Sequence, residues 1–483
     1  MDIWHTLQTR LQKTWGYSDF RPLQREIIQC LLTGQDALIL LPTGGGKSLC
    51  FQLPALLQQG LTLVISPLVA LMENQVQELR DRQLPAASYH SETPKWLKKR
   101  TLHQLEKQTL RLLYLSPETL LSPTIWDYLI QPQIRINGLI LDEAHCLVQW
   151  GETFRPAYRR LGTVRPALLH HKPPGTEIPI AAFTATADPQ GKNTICRVLQ
   201  LRKPRLFTQS PYRANLSLKV QNVWTPRGRK QRLFQFVQQQ GNSSGLVYVR
   251  SRQDSETLSQ WFTAQGYPTL SYHGGYEAKE RREIEQQWLG GKVPVIVCTS
   301  AFGMGINKPD VRWVAHFSPP LLLTEYLQEV GRGGRDGKMS DTLTLVSDRT
   351  GWLNPEDQQR DRFFHNTLRQ QYRQAQQIVQ KLPPEGDLTQ LEGIKDAAMA
   401  LSLLHSAKLL VWLDPFHFQV KPGNVKQALD RSYQQQQEHY QQLRHYLRTS
   451  QCRWQFLMAA FGFQPDTAFR CGHCDNCSGA KRT

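Results

Sequence analysis

From about residue 37 to 209, short runs of leucine and β-branched residues recur along the chain as ALILL, LTLVIS, LRLLYLS, INGLILD, IPIAAFTAT and PRLFTQ. Longer amphipathic or mixed stretches separate them. Short, continuously apolar runs mark strands buried on both faces, so the alternation predicts a parallel α/β sheet. The rhythm returns from about 245 to 346 in GLVYV, TLSYH, VPVIVCT, VRWVAHF and DTLTLV, after a polar, turn-rich passage around SPYRAN and WTPRGRK. Two α/β lobes joined near residues 207 to 215 are expected, repeated in architecture without residue-level self-similarity.

Beyond about 350 the strand rhythm stops and glutamine becomes abundant, as in RQQYRQAQQIVQK and RSYQQQQEHYQQLRHYLR. In the second stretch Tyr433, Tyr440, Leu443, Leu447, Trp454, Leu457 and Phe461 keep to one helical face, which predicts a long amphipathic helix with a packing stripe. The expected layout is lobe 1 over 1–207, lobe 2 over 208–348 and a mostly helical domain over 349–483. Inside the last, 382–422 reads as helices followed by a short strand pair, a small winged-helix-like insertion.

Composition sharpens the class of partner. The 483 residues suit about three domains, and 40% apolar content suits packed cores. Fifty-eight Lys and Arg against 40 Asp and Glu leave a net charge of +18, which favours nucleic acid first and an anionic membrane surface second. No segment approaches the roughly 18 apolar residues of a membrane span and the N-terminus carries no leader, so a soluble, cytoplasmic, nucleoid-associated protein is expected. Cys30, Cys50, Cys146, Cys196 and Cys298 are isolated among apolar neighbours and read as buried small hydrophobes.

The chemistry begins at ALILLPTGGGKSLC. A strand runs into Thr43, Gly44, Gly45 and Gly46, then Lys47 and Ser48. Small residues let backbone N–H groups approach phosphate oxygens, the lysine serves the outer phosphates and the hydroxyl suits magnesium. Leu41 stands where the strict phosphate-loop pattern has its first glycine, and a glycine-rich turn beside a surface lysine is the competing reading. INGLILDEAH supplies a strand ending in Asp142, placed to hold magnesium, and Glu143, placed to orient and deprotonate water. In YLQEVGRGGRDG, Arg332 and Arg335 sit in a glycine-rich loop suited to the charge of phosphoryl transfer between lobes, with a solvated basic loop as the alternative. Nucleoside triphosphate hydrolysis is the reaction expected.

These strings together resemble the RecQ family of DNA helicases, in helicase superfamily two, over about residues 10 to 345 and the terminal cysteines. The resemblance rests on GYSDFRPLQ, PTGGGKS, SPLVALMENQV, LSPE, DEAH, QWGETFRPAYRRLG, FTATA, YVRSR, TSAFGMGINKPDVR and QEVGRGGRDG. It implies two RecA-like lobes, ATP and magnesium as cofactors, and unwinding with 3′-to-5′ polarity in repair or recombination. It places His145 with the catalytic set and Tyr17, Arg21 and Gln24 at the adenine, with Phe20 more suited to the core. Ser66, Ser116, Ser251, Arg252 and Thr299 match residues that line the strand track, although such residues also cap helices. Trp150, Phe154 and Arg155 match an aromatic-rich loop that senses single-stranded DNA and relays its presence to the ATP site; anchoring in the core is the rival role. This chain departs from relatives with Glu152 and Thr153 for a histidine and an aspartate, Ala157 for an acid, and Gly333 for an alanine.

CRWQFLMAAFGFQPDTAFRCGHCDNC places Cys452 on the amphipathic helix and Cys471, Cys474 and Cys477 in a C-x-x-C-x-x-C turn. Four thiolates at this spacing favour a closed, structural zinc site, as in the family's zinc module, with a disulfide or an iron–sulfur cluster as alternatives. His473 and Asp475 read as bystanders. The winged-helix and helicase-and-RNase-D-like domains of many relatives are expected to be absent. Single-stranded and forked duplex DNA are the expected partners; a translocase or annealing factor that hydrolyses ATP without opening DNA is the alternative, and composition leaves RNA open.

Overall fold

The computed structural model describes residues 3–42, 44–148, 155–303, 308–348, 350, 352–391 and 393–478. The chain divides into two units, Met1–Gln209 with Arg369–Tyr433, and Ser210–Leu368 with Gln434–Thr483.

The first unit is built on a seven-stranded sheet, β1 (Ala37–Leu40), β2 (Leu61–Ile65), β3 (Ala86–Tyr89), β4 (Leu112–Leu115), β5 (Ile136–Leu141), β6 (Ile180–Thr184) and β7 (Arg205–Thr208), in the order β3-β4-β2-β5-β6-β1-β7. Every pairing is parallel. The unbroken apolar runs follow from helices covering both faces. Along β1, Leu38 and Leu40 enter one core while Ala37 and Ile39 enter the other.

The second unit holds six parallel strands, β8 (Leu216–Val223), β9 (Gly245–Tyr248), β10 (Thr269–Tyr272), β11 (Val295–Cys298), β12 (Trp313–His316) and β13 (Ser340–Ser347), in the order β10-β11-β9-β12-β13-β8. Here too Val247 and Leu246 point into opposite cores.

Two strands escape the apolar reading, and both lie at a sheet edge. β3 is AASY, too small and short to register. β8 is LSLKVQNV, whose second half is polar and partly exposed. The chain protects the β8 edge: the Trp454 indole donates to the Leu216 carbonyl at 3.1 Å, and the Val220 amide donates to Asp475 at 2.9 Å.

The C-terminal third is not one continuous stripe. A helix over Val425–Arg448 ends, and a second begins at Arg453–Ala460 with Cys452 as its N-cap, so Cys452 lies in the break rather than on the long helix. Tyr440, Leu443, Trp454, Leu457 and Phe461 are buried as a packing stripe requires. Residues 385–420 form a helix, Ala397–Ser406, and three short antiparallel strands, β14 (Glu385–Asp387), β15 (Leu410–Trp412) and β16 (His417–Val420), in the order β14-β16-β15. β14 is a third strand beyond the expected pair. Among the described residues no helix is long and apolar enough to cross a membrane.

Candidate nucleotide site and metal centre

Gly44 and Gly46 take φ of 83° and 74°, left-handed values that side chains resist, and Gly46 leads directly into the helix Lys47–Leu57. The loop therefore turns its backbone toward a helix N-terminus, where N–H groups lack partners and anions are favoured. Lys47 and Ser48 open that helix, half-buried. Gln24 is buried; its amide donates to the Gly46 carbonyl at 3.1 Å and accepts from the Arg21 N–H at 2.8 Å. A Cβ on Gly46 would strike that amide. The Arg21 guanidinium donates to the Gly44 carbonyl, and the Tyr17 ring is half-exposed beside this segment in sequence. Phe20 packs edge-on against Trp4 at 6.4 Å. Thr43 lies outside the described residues.

β5 delivers Asp142 and Glu143 to the carboxyl edge of the sheet, next to β2, whose Ile65 carbonyl accepts the Asp142 N–H at 2.9 Å. Asp142 is 4% exposed. Burial and the Glu143 charge push its carboxyl up to about 6, against the opposing pull of Lys47, the Glu143 N–H at 3.0 Å and the Gln75 amide at 3.4 Å. A buried carboxylate with its charge only partly offset and a lysine within electrostatic reach is suited to a cation carried by a polyphosphate. Glu143 adopts a left-handed φ of 51°, which swings its side chain to the His145 ring at 3.1 Å. Burial opposes charge on His145, but Cys146 and Glu143 prevail and raise it to about 10. His145 also meets the Thr184 hydroxyl at 3.3 Å, tying DEAH to the FTATA strand β6. Gln75 was not singled out by its sequence position; the only signal was its place within SPLVALMENQV.

In the second unit Arg332 is 8% exposed and donates to the Gly303 carbonyl, while Arg335 is half-buried. The helix before them, Leu323–Val330, is held by a buried network that sequence reasoning missed. Arg250 makes a bidentate pair with Glu329 at 2.9 and 2.7 Å, and Glu329 also accepts from His316 at 3.0 Å. The other His316 nitrogen meets the Thr344 hydroxyl at 3.0 Å. Burial alone would raise the Glu329 carboxyl, yet Arg250 and His316 hold it at about 2.

The track residues separate by environment. Ser66 is buried, its hydroxyl without a hydrogen-bond partner among the described residues. Ser116 and Ser251 both cap helices, accepting from the Thr119 and Asp254 amides at 3.2 and 3.0 Å. Arg252 is exposed, and Thr299 follows β11 with its hydroxyl facing the Ala301 amide at 3.4 Å. Arg155 pairs with Glu118 at 3.1 Å. Trp150 and Phe154 lie outside the described residues.

The sulfurs of Cys452, Cys471, Cys474 and Cys477 all lie within 4.8 Å of one another. Tetrahedral zinc, with Zn–S near 2.3 Å, asks for S···S separations of about 3.8 Å, and the Cys471 and Cys477 sulfurs stand at 3.9 Å. Backbone N–H groups of Cys471 and Arg453 approach the Cys452 and Cys474 sulfurs at 3.3 and 3.5 Å, as anionic thiolates require. Asp475 is no bystander, because it grips Arg453 at 2.5 and 2.8 Å as well as the β8 edge. His473 lies outside the cluster and meets the Tyr212 hydroxyl at 3.3 Å.

Three family models match in order along the chain: DEAD/DEAH box helicase over residues 21–194, helicase conserved C-terminal domain over 228–337, and RecQ zinc-binding over 418–478. The ATP-dependent DNA helicase RecQ of a Synechocystis species is 49% identical over 474 residues, covering 98% of each chain. The chain belongs to the RecQ family. A probable ATP-dependent DNA helicase RecS of Bacillus subtilis is 38% identical over 342 residues, 70% of this chain and 66% of that one. Among solved structures, the helicase MrfA bound to DNA superposes with a TM-score of 0.59 at 17% identity, covering 88% of this chain and 63% of its own. Mss116p bound to single-stranded RNA and AMP-PNP gives 0.59 at 18%, covering 73% of each. These two speak to the fold, a pair of RecA-like lobes.

As a RecQ-family enzyme the protein is an ATP-dependent DNA helicase, with ATP and zinc as its cofactors. Two of the positions expected to depart from the family's pattern also have a structural setting. Gly333 stands where a Cβ would collide with the Ser340 side chain, and Ala157 is 4% exposed within the core of the first lobe, where an acid would be stranded.

Proposed function

We propose that the protein uses ATP with magnesium to move 3′ to 5′ along single-stranded DNA and to open forked duplexes, in DNA repair or recombination. In this reading Ser48 and Asp142 hold magnesium, Lys47 and the glycine turn bind the phosphates, and Glu143, steadied by His145, orients and deprotonates the attacking water. Tyr17, Arg21 and Gln24 recognise the adenine. Arg335, with Arg332 ordering the loop beside it, offsets charge on the transferred phosphoryl group. Ser66, Ser116, Ser251, Arg252 and Thr299 follow the strand, and Trp150, Phe154 and Arg155 sense it. The observation that carries the reading is Asp142: a buried carboxylate raised to about 6, at the carboxyl edge of a parallel sheet, beside a lysine that opens a glycine-led helix.

Duplexes with a 3′ or a 5′ single-stranded tail test it. Strand separation is expected on the 3′-tailed substrate alone, only with ATP and magnesium, and lost in Lys47→Ala. ATP hydrolysis without separation on either substrate would make the protein a translocase instead; preference for the 5′ tail would refute the polarity.

A further inference from the structure

The helix-and-three-strand module at residues 385–420 belongs to the first unit, and it rests on the 3-10 segment Pro156–Thr163. That segment begins at the residue after Arg155, where the stretch proposed to sense DNA ends. The Arg160 guanidinium donates to the Pro415 carbonyl at 3.1 Å and lies 5.9 Å from the centre of the Trp412 ring. Phe416 of the module packs edge-on against Trp126 at 5.3 Å and joins the core of the lobe. Beside Arg160, Arg159 is buried. His405 on the module's helix is pushed down to about 3, first by burial and then by the charges of Arg159 and Arg197.

A short 3-10 segment is poorly held by its own hydrogen bonds and takes its position from what packs on it. Here the core of the lobe buries Ala157, Tyr158 and Leu161, and polar contacts add support from two sides: Glu118 pairs with Arg155 at the start of the segment, and the module grips Arg160 five residues on. An arginine that stacks and donates at once is a directional anchor, which a flexible lysine does not reproduce.

We propose that residues 385–420 are a strut for the segment that follows the proposed DNA-sensing residues: through Arg160, Trp412 and Pro415 they fix Pro156–Thr163 and so set how strongly single-stranded DNA accelerates ATP hydrolysis. The proposal rests on the reading of Trp150, Phe154 and Arg155 as the sensor. In this proposal Arg160 and Trp412 are positioning residues, acting through the segment they hold.

The test uses the full-length, zinc-loaded chain. ATP hydrolysis is measured without DNA and against rising single-stranded DNA, and strand affinity is measured separately, for Arg160→Ala, Trp412→Ala, Trp412→Phe and Trp150→Ala. Arg160→Ala is expected to leave the DNA-free rate and strand affinity unchanged and to lower maximal stimulation about 3- to 30-fold, the usual range for coupling carried through packed contacts. Trp412→Ala should do the same and the pair should be non-additive, while Trp412→Phe, which keeps a ring under the guanidinium, should restore most of the stimulation. Full stimulation in Arg160→Ala overturns the strut; if Trp150→Ala has meanwhile lost stimulation, the sensor reading survives alone. Full stimulation in both variants removes both. Loss of duplex affinity with stimulation intact in Arg160→Ala would make the module a DNA-contacting surface and also overturns the proposal.

Discussion

Each lobe carries a buried carboxylate near the carboxyl ends of its parallel strands, and the two are held in opposite ways. Asp142 follows β5 directly, with its carboxyl raised to about 6 because burial and Glu143 outweigh what Lys47 and two hydrogen bonds return. Glu329 faces the ends of β9 and β12, where Arg250 and His316 meet its burial in full and hold it near 2. A carboxylate left short of positive charge is kept for something that arrives with a ligand; one matched by a bidentate arginine is part of the frame. Glu143, next to Asp142, is one of several left-handed non-glycine residues in the first lobe, whereas Arg250 and Glu329 sit in ordinary backbone.

The largest effect expected from breaking this contrast is on the frame. Arg250→Met would leave Glu329 buried with only a neutral imidazole beside it, a change worth about 3–5 kcal/mol of stability. A double variant, Arg250→Met with Glu329→Leu, should recover most of the loss, since no charge is then stranded. Urea unfolding followed by tryptophan fluorescence measures both. A shift under about 1 kcal/mol in the single variant would mean that the pair contributes little to the frame.

At Asp142 the sign reverses. Its folded value lies above its ordinary one, so folding favours the protonated form, and stability falls as pH rises from about 4 to about 6 and stays lower above that. Asp142→Asn should therefore abolish ATP hydrolysis yet make the nucleotide- and magnesium-free protein more stable at pH 7, by roughly 3 kcal/mol at most from about 1.4 kcal/mol per pKa unit. The gain should fade below about pH 4. Glu329 behaves conversely: its contribution is present above about 4.5 and is lost as pH falls toward 2. An Asp142→Asn protein that is less stable than the parent at neutral pH would show that the carboxylate is already satisfied.

What was legible in the sequence follows the same division. The glycine turn, Lys47, Asp142 and Glu143 are read from contiguous residues, because phosphate binding needs a fixed local order of small, basic and hydroxyl groups. The three cysteines at 471 to 477 announce themselves by spacing. Cys452 was found, but its place in a break between helices was not, since the apolar period runs on across Thr449–Gln451. The frame was opaque: Arg250 and Glu329 are 79 positions apart, and Arg160 meets Pro415 across 255. Edge strand β3 was missed because its buried residues, AASY, are small and weakly apolar, and β8 because its second half is polar and partly exposed. Asp475 looked idle because the partners that use it, Arg453 and the β8 amide, are distant in sequence and come together only in the fold.

The smallest effect expected sharpens the comparison at Asp142 itself. Gln75 donates to the Asp142 carboxylate at 3.4 Å, a long contact across 67 residues, and it is one of the few groups that lower that carboxyl. Gln75→Leu keeps the volume and removes the donor, so the Asp142 carboxyl should rise further, by less than about one unit given so long a bond. On the proposed reading the deprotonated form of Asp142 is the one that would hold magnesium, so the acid limb of the ATP hydrolysis profile should move to higher pH by a few tenths while the rate near pH 8 stays within about twofold. If that limb stays where it is and the rate falls at every pH, Gln75 acts on the position of the neighbouring strand ends and not on the charge of Asp142.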